Sequence, residues 1–168
     1  MKRLFTLISL LSVTYTFAQS GKASIGFHTN LPIGETQDVT QFGISINPSY
    51  VFPVSKHLDL GISSEFSFFK GKTFRYNVGG QALKHRYNNS SYIPISTAMR
   101  YHLSDVFSVG TDIGYAITLQ KENKNGLYFK PRISYKLDKH LALNLGYVAL
   151  RVNGGTWKTV QIGAEYKF

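Results

Sequence analysis

The segment Val160-Gln161-Ile162-Gly163-Ala164-Glu165-Tyr166-Lys167-Phe168 decides the fold class. Apolar and aromatic residues take every second position, with Gln, Gly, Glu and Lys between them. Side chains of an extended chain alternate between two faces, so this is a strand with one apolar and one polar face. An amphipathic helix would repeat every three to four residues instead.

Working outward, the same period of two recurs in seven further segments: 23–28, 42–52, 58–69, 92–103, 107–119, 127–137 and 141–150, with the last strand starting at Trp157. Most of them run to about nine to twelve residues, which suits a tilted membrane-crossing strand and exceeds the usual five or six of globular strands. Composition agrees. The 168 residues include 11 Tyr, 12 Phe and 15 Gly but only 17% charged residues, a mix that favours strands and excludes disorder and coiled coil. There is no Cys, hence no disulfide framework, no thiolate metal site and no cysteine nucleophile.

Connections alternate in length. Residues 53–57, 104–106 and 138–140 make short turns, each preceded by an aromatic triplet: Tyr50-Val51-Phe52, Tyr101-His102-Leu103 and Tyr135-Lys136-Leu137. The opposite set, 31–41, 71–91, 120–125 and 152–156, includes two long loops. Short turns at one end and longer loops at the other is the arrangement of an up-and-down membrane barrel, with the short side periplasmic. Pro48, Pro94 and Pro131 fall inside the expected strands, where each removes a ladder hydrogen bond. Bulges are the expected remedy, and a bulge would reverse the facing beyond it.

The polar face carries Asp59, Glu65, Asp112 and Glu165 beside Arg100, Lys130 and Arg132, together with Gly26, Gly43, Gly61, Gly110, Gly114, Gly146 and Gly163. Eight strands enclose just enough room for side chains. The expectation is therefore a plugged interior in which these seven charges pair at mid-depth. The apolar face is nearly free of charge, Lys158 near the upper loops excepted, and gathers aromatics towards both ends of the strands. That is the pattern of a lipid-facing wall with two aromatic girdles.

Residues 1–18 read as an export signal rather than as fold. Lys2 and Arg3 precede an apolar run from Leu4 to Val13, and Thr16-Phe17-Ala18 offers small residues before a cut at Gln19. The expected domains are a signal peptide, 1–18, and a barrel, 19–168. Ending on Tyr166-Lys167-Phe168, the chain resembles the C-terminal assembly signal of outer-membrane proteins. With its leader and eight strands it is similar to the small outer-membrane β-barrel family of the OmpA/OmpX type. The resemblance implies an all-β, eight-stranded antiparallel transmembrane barrel in the outer membrane of a Gram-negative cell. It also implies contact with outer-membrane lipid and lipopolysaccharide, and with the barrel-assembly machinery, which would read Tyr166 and Phe168. No peptidoglycan-binding domain is expected after the barrel.

Chemistry is not expected. Some eight-stranded barrels act on lipid A, and the deacylase type has a His-x-Ser-Asn run, but the nearest echo here, His28-Thr29-Asn30, lacks the Ser. No Ser, His and acid share a spacing that would unite them. His28 and His102 read as members of the polar interior, His57 and His140 as solvated turn residues. The five His are scattered, so no metal and no cofactor is expected, and nucleic acid does not belong to this compartment. The net charge of +10 finds a place in the loop after the third strand, where Lys70, Lys72, Arg75, Lys84 and Arg86 interleave with Phe74, Tyr76 and Tyr87. The simpler reading is a solvated loop balancing neighbouring lipid charge; the sharper one is an anion-binding surface. The expected function is a structural or surface-interaction barrel without catalysis or a wide pore. The alternatives are a lipid A modifying enzyme and a soluble exported barrel holding an apolar ligand.

Overall fold

The computed structural model describes residues 21–78, 81–120, 125–152 and 154–168. The proposed leader lies outside them. The strands are β1 (Lys22–Pro32), β2 (Thr40–Pro53), β3 (Leu58–Ser64), β4 (Phe66–Gly71), β5 (Thr73–Val78), β6 (Gln81–Arg86), β7 (Ser90–His102), β8 (Phe107–Thr118), β9 (Gly126–Lys136), β10 (Leu141–Val152) and β11 (Gly155–Lys167), with one helical turn, α1 (Thr36–Val39).

Every neighbouring pair is antiparallel, and β1 pairs with both β2 and β11, which closes the sheet. Strands β3 and β4 both lie between β2 and β7, so they are two halves of one stave. The result is an eight-stave up-and-down barrel. The segment 71–91, expected as a loop, differs: β5 and β6 form a separate two-stranded hairpin above the barrel, with Thr73 opposite Arg86 and Val78 opposite Gln81. Its alternating β-formers Phe74, Tyr76 and Val78 support a strand.

The prolines are absorbed without the expected bulges. The register of β1 with β2 runs unbroken past Pro48, that of β7 with β8 past Pro94, and that of β8 with β9 past Pro131. Instead, ladders lapse locally. Pairing of β2 with the third stave stops between Ser49↔Ser63 and Ile46↔Phe66, beside Pro48. Pairing of that stave with β7 stops between Ser64↔Ile95 and Ser67↔Tyr92, beside Pro94. Two prolines thus flank one gap, centred on Glu65. Side chains fill it: the Asn47 amide donates to the Ser64 carbonyl, and the Ser64 hydroxyl donates to the Pro94 carbonyl at 2.9 Å. Facing is preserved past all three prolines, because no residue is inserted at them; a register shift does occur in β2, but between Thr40 and Gly43 near the loop end, away from any proline.

The three short turns are built alike. Val54 and Ser55, Leu103 and Ser104, and Leu137 and Asp138 donate paired backbone N–H bonds to the carbonyls of Leu58, Phe107 and Leu141 respectively. In each, a side-chain oxygen (Ser55, Ser104 or Asp138) accepts the backbone N–H two residues on, the device that makes Ser and Asp good turn residues.

Apolar side chains point out: Ile62 is 67% exposed, Ile95 63% and Leu127 63%, while Asp112 and Ser67 are fully buried inside. This is the reverse of a barrel wrapped round an apolar ligand, so the soluble ligand-binding alternative falls. The lumen is not polar throughout, however. Towards the loop end Phe69, Tyr92, Ala116, Tyr128, Val148 and Leu150 form a buried cluster, with Val152 and Trp157 packed on it. Phe69 stacks on Tyr92 at 5.8 Å and meets Trp157 edge-on at 5.3 Å. An apolar plug therefore caps the polar section.

Candidate functional site

Two features gather charge: the lumen and the hairpin. Within the lumen Glu65 sits in the gap of the third stave, almost wholly buried, and accepts from Lys130 Nζ at 2.8 Å, Gln161 Nε2 at 2.7 Å and Ser67 Oγ at 2.6 Å. Lys130 also meets Asp112 at 3.2 Å, and Asp112 meets Arg100 at 2.6 Å. Glu65, Lys130, Asp112 and Arg100 thus form one chain of alternating sign. A second group joins Arg132 to Glu165 and Asn144. Buried charges require such pairing, since an unpaired ion out of water is strongly destabilised.

Glycines make the room. A Cβ on Gly110 would stand 2.8 Å from Arg100 Cδ, and one on Gly43 would stand 2.6 Å from the Phe69 ring. Even the smallest side chain at either position would displace the large neighbour.

Asp59 does not join this group. It lies at the short-turn end and pairs with His102 Nε2 at 2.9 Å and with half-exposed Lys22 at 3.4 Å. The expectation that all seven charges meet at mid-depth is corrected accordingly: Asp59 is two residues into its strand, too low to reach Lys130. His28 is buried inside, whereas His57 is exposed. His140, expected to be solvated, is half-buried: its ring stacks on Tyr166 at 5.7 Å and its Nδ1 lies 2.9 Å from the Lys167 carbonyl. The partners Asn47, Asn144 and Gln161 lie on the polar face that the period of two assigns them, without being expected as charge partners, and Tyr128 shares the parity of Lys130 and Arg132 on β9.

Of the five loop cations, the structure brings three together. Arg75 lies directly opposite Lys84, and Arg86 is two residues on from Lys84, so all three share one face of the hairpin and all are exposed. The segment 71–91 contains no Asp or Glu. Like charges facing each other across a ladder destabilise it unless something neutralises them. The opposite face carries Phe74 and His85, which pack edge-on against Tyr87 at 6.1 and 4.9 Å. Lys72 stands apart at the hairpin's foot, its Nζ donating to the Gln37 carbonyl at 3.1 Å and lying 5.2 Å from the Phe74 ring. Lys70 is separate again, on the outward face of β4 in line with Phe66 and Phe68.

At the chain's end Tyr166 faces outward and meets Phe168 edge-on at 5.3 Å, while the Phe168 N–H donates to the Ala23 carbonyl at 3.0 Å. Among the described residues no group of His, Cys, Asp and Glu has metal-ligand geometry.

Comparison with known proteins places the fold. The attachment invasion locus protein Ail of Yersinia pestis superposes with a TM-score of 0.55 at 12% identity, covering 88% of this chain and 97% of its own. The N-terminal barrel of Pseudomonas aeruginosa OprF gives 0.55 at 6% identity, with 89% and 98% covered. OprG of the same organism gives 0.50 at 12% identity, with 88% and 95% covered. No curated protein matches in sequence. The model of the outer membrane protein beta-barrel domain matches residues 4–168. With that match spanning nearly the whole chain, and with a closed barrel whose apolar side chains face outward, the protein belongs to the outer-membrane β-barrel family.

Proposed function

We propose that this barrel is a non-catalytic surface-interaction protein whose basic hairpin captures polyanions outside the cell. The single observation that carries the reading is the exposed face of Arg75, Lys84 and Arg86, with no carboxylate in the segment and two like charges in register. A sulfated or phosphorylated polymer would supply the missing counter-charge, and guanidinium groups suit such oxyanions. Ail has been solved in complex with the heparin analogue sucrose octasulfate. That is a fact about Ail, and it supports asking the same of this hairpin.

The lack of catalysis belongs to the same proposal. It is supported by the facing of His28 and Thr29, which point to opposite sides of the wall. Among the described residues the one His–acid pair, His102 with Asp59, opens at the short-turn end, away from the outer surface. Residues 1–18 as an export signal, and Tyr166 and Phe168 as the assembly signal, complete the reading. The lumen charges Asp59, Glu65, Arg100, Asp112, Lys130, Arg132 and Glu165 are assigned a structural role.

The test is heparin binding by the folded barrel in detergent, comparing wild type with R75A/K84A/R86A. Wild type should bind with strong salt dependence, and the variant should lose on the order of tenfold or more in affinity. Equal binding by the two proteins would sink the proposal.

A further inference from the structure

The outer wall is not uniformly convex. Across β11, β1, β2 and β4 it holds a concavity of about 540 Å³, within the roughly 300–1,000 Å³ of small-molecule sites. Its floor is Thr29, which stands in register between Ile162 and Ile44. One step lower, Phe27, Ile46 and Phe66 lie side by side. A short side chain among large apolar ones leaves a trough, and its rim is exposed: Phe27 and Ile44 are each 57% accessible.

Two cations stand above it. Lys70 follows Phe66 by four residues on β4, and Lys158 precedes Ile162 by four on β11. Both are exposed on the outward face towards the loop end. Four residues span about 13 Å of strand, and the two strands are three spacings, about 14 Å, apart. With the usual barrel tilt of about 40° the ammonium groups lie on the order of 10 Å above the trough, which brings them to the headgroup level of the outer leaflet. Neither lysine meets a carboxylate among the described residues, and the nearby acids Glu35 and Asp38 form no ion pair with them.

We propose that this wall is a specific lipid site, taking an acyl chain of a diphosphorylated, multi-acylated glycolipid of the outer leaflet in the Thr29 trough while Lys70 and Lys158 hold its two phosphates. The trough faces hydrocarbon, so its occupant is a lipid chain. Two separated cations fit two separated phosphates better than the single phosphate of a phospholipid. The site rests on the lipid-facing reading of the wall and uses none of the hairpin face, so either proposal can fail alone.

The experiment reconstitutes the full folded protein into phosphatidylcholine nanodiscs doped with diphosphorylated lipid A, dephosphorylated lipid A or phosphatidylglycerol, and reads the lipid retained per barrel. Lipid A should be retained over both other lipids. K70A/K158A should lose on the order of tenfold, since each lysine near an anionic surface contributes a factor of several. Thr29→Trp, which fills the trough, should also lose retention while keeping the mobility of the folded barrel on an unboiled denaturing gel. R75A/K84A/R86A should retain lipid A like wild type. Wild-type retention by K70A/K158A, or equal retention of phosphatidylglycerol and lipid A, would overturn the assignment. A retained signal in Thr29→Trp would remove the acyl trough from it.

Discussion

Glu65 concentrates the physics of the lumen. It interrupts its own strand, lies level with two prolines that lack the donors a continuous ladder would need, and gathers Lys130, Gln161 and Ser67 around its carboxylate. Removing one partner leaves the other charge buried and uncompensated. Glu65→Ala is therefore expected to cost about 3–5 kcal/mol, whereas replacing the pair by apolar residues of similar volume, E65L/K130M, should cost clearly less. Urea unfolding of the barrel in lipid vesicles reads both. An E65A midpoint equal to wild type would remove this pair from the account. The charge identities were legible from strand parity, but their grouping was not. Which cation meets which acid depends on depth along tilted staves, and Asp59 shows the consequence: correct face, wrong level.

At the scale of elements, the repeated short turn carries its own titration. The Asp138 carboxylate accepts the N–H groups of His140 at 2.6 Å and Leu141 at 2.8 Å, and these two backbone bonds hold its pKa below the ordinary carboxylate value. A carboxylate preferred by the folded turn keeps its contacts complete above that ordinary value and loses them as pH falls through the lower, folded one. The amide shifts of His140 and Leu141 should then titrate with a midpoint below that of a free aspartate. A midpoint at or above the free value contradicts the turn as described. Turn positions were readable from sequence because Ser, Asp and Pro punctuate the strands. Hairpin β5–β6 was not, since its alternation covers only six residues a side and the basic residues mask it. The prolines misled for a different reason. A missing donor in a lone strand calls for a bulge, whereas Pro48 and Pro94 share a single gap that Asn47 and Ser64 bridge.

For the whole molecule, inversion is the governing fact: apolar outside, charged inside, and sealed near the loops by Phe69, Tyr92, Tyr128 and Trp157. The inversion was legible, because a polar face with seven charges and many glycines cannot meet hydrocarbon. The aromatic seal was hidden, since Tyr128, Val148 and Leu150 share a strand face with Lys130, Asn144 and Gly146, and only depth along the stave separates them. The trough at Thr29 was hidden too, as it arises from side chains on four strands that only barrel closure brings together. The most direct test of the inversion uses the lack of native Cys, which makes any introduced Cys unique. A nitroxide would be placed singly at each position from Ile95 to Tyr101 in β7, and its collisions with oxygen and with a water-soluble nickel complex measured in lipid vesicles. Oxygen access should be high at 95, 97, 99 and 101, with low access to both reagents at 96, 98 and 100. The opposite phase, or no period of two, would contradict a lipid-facing barrel.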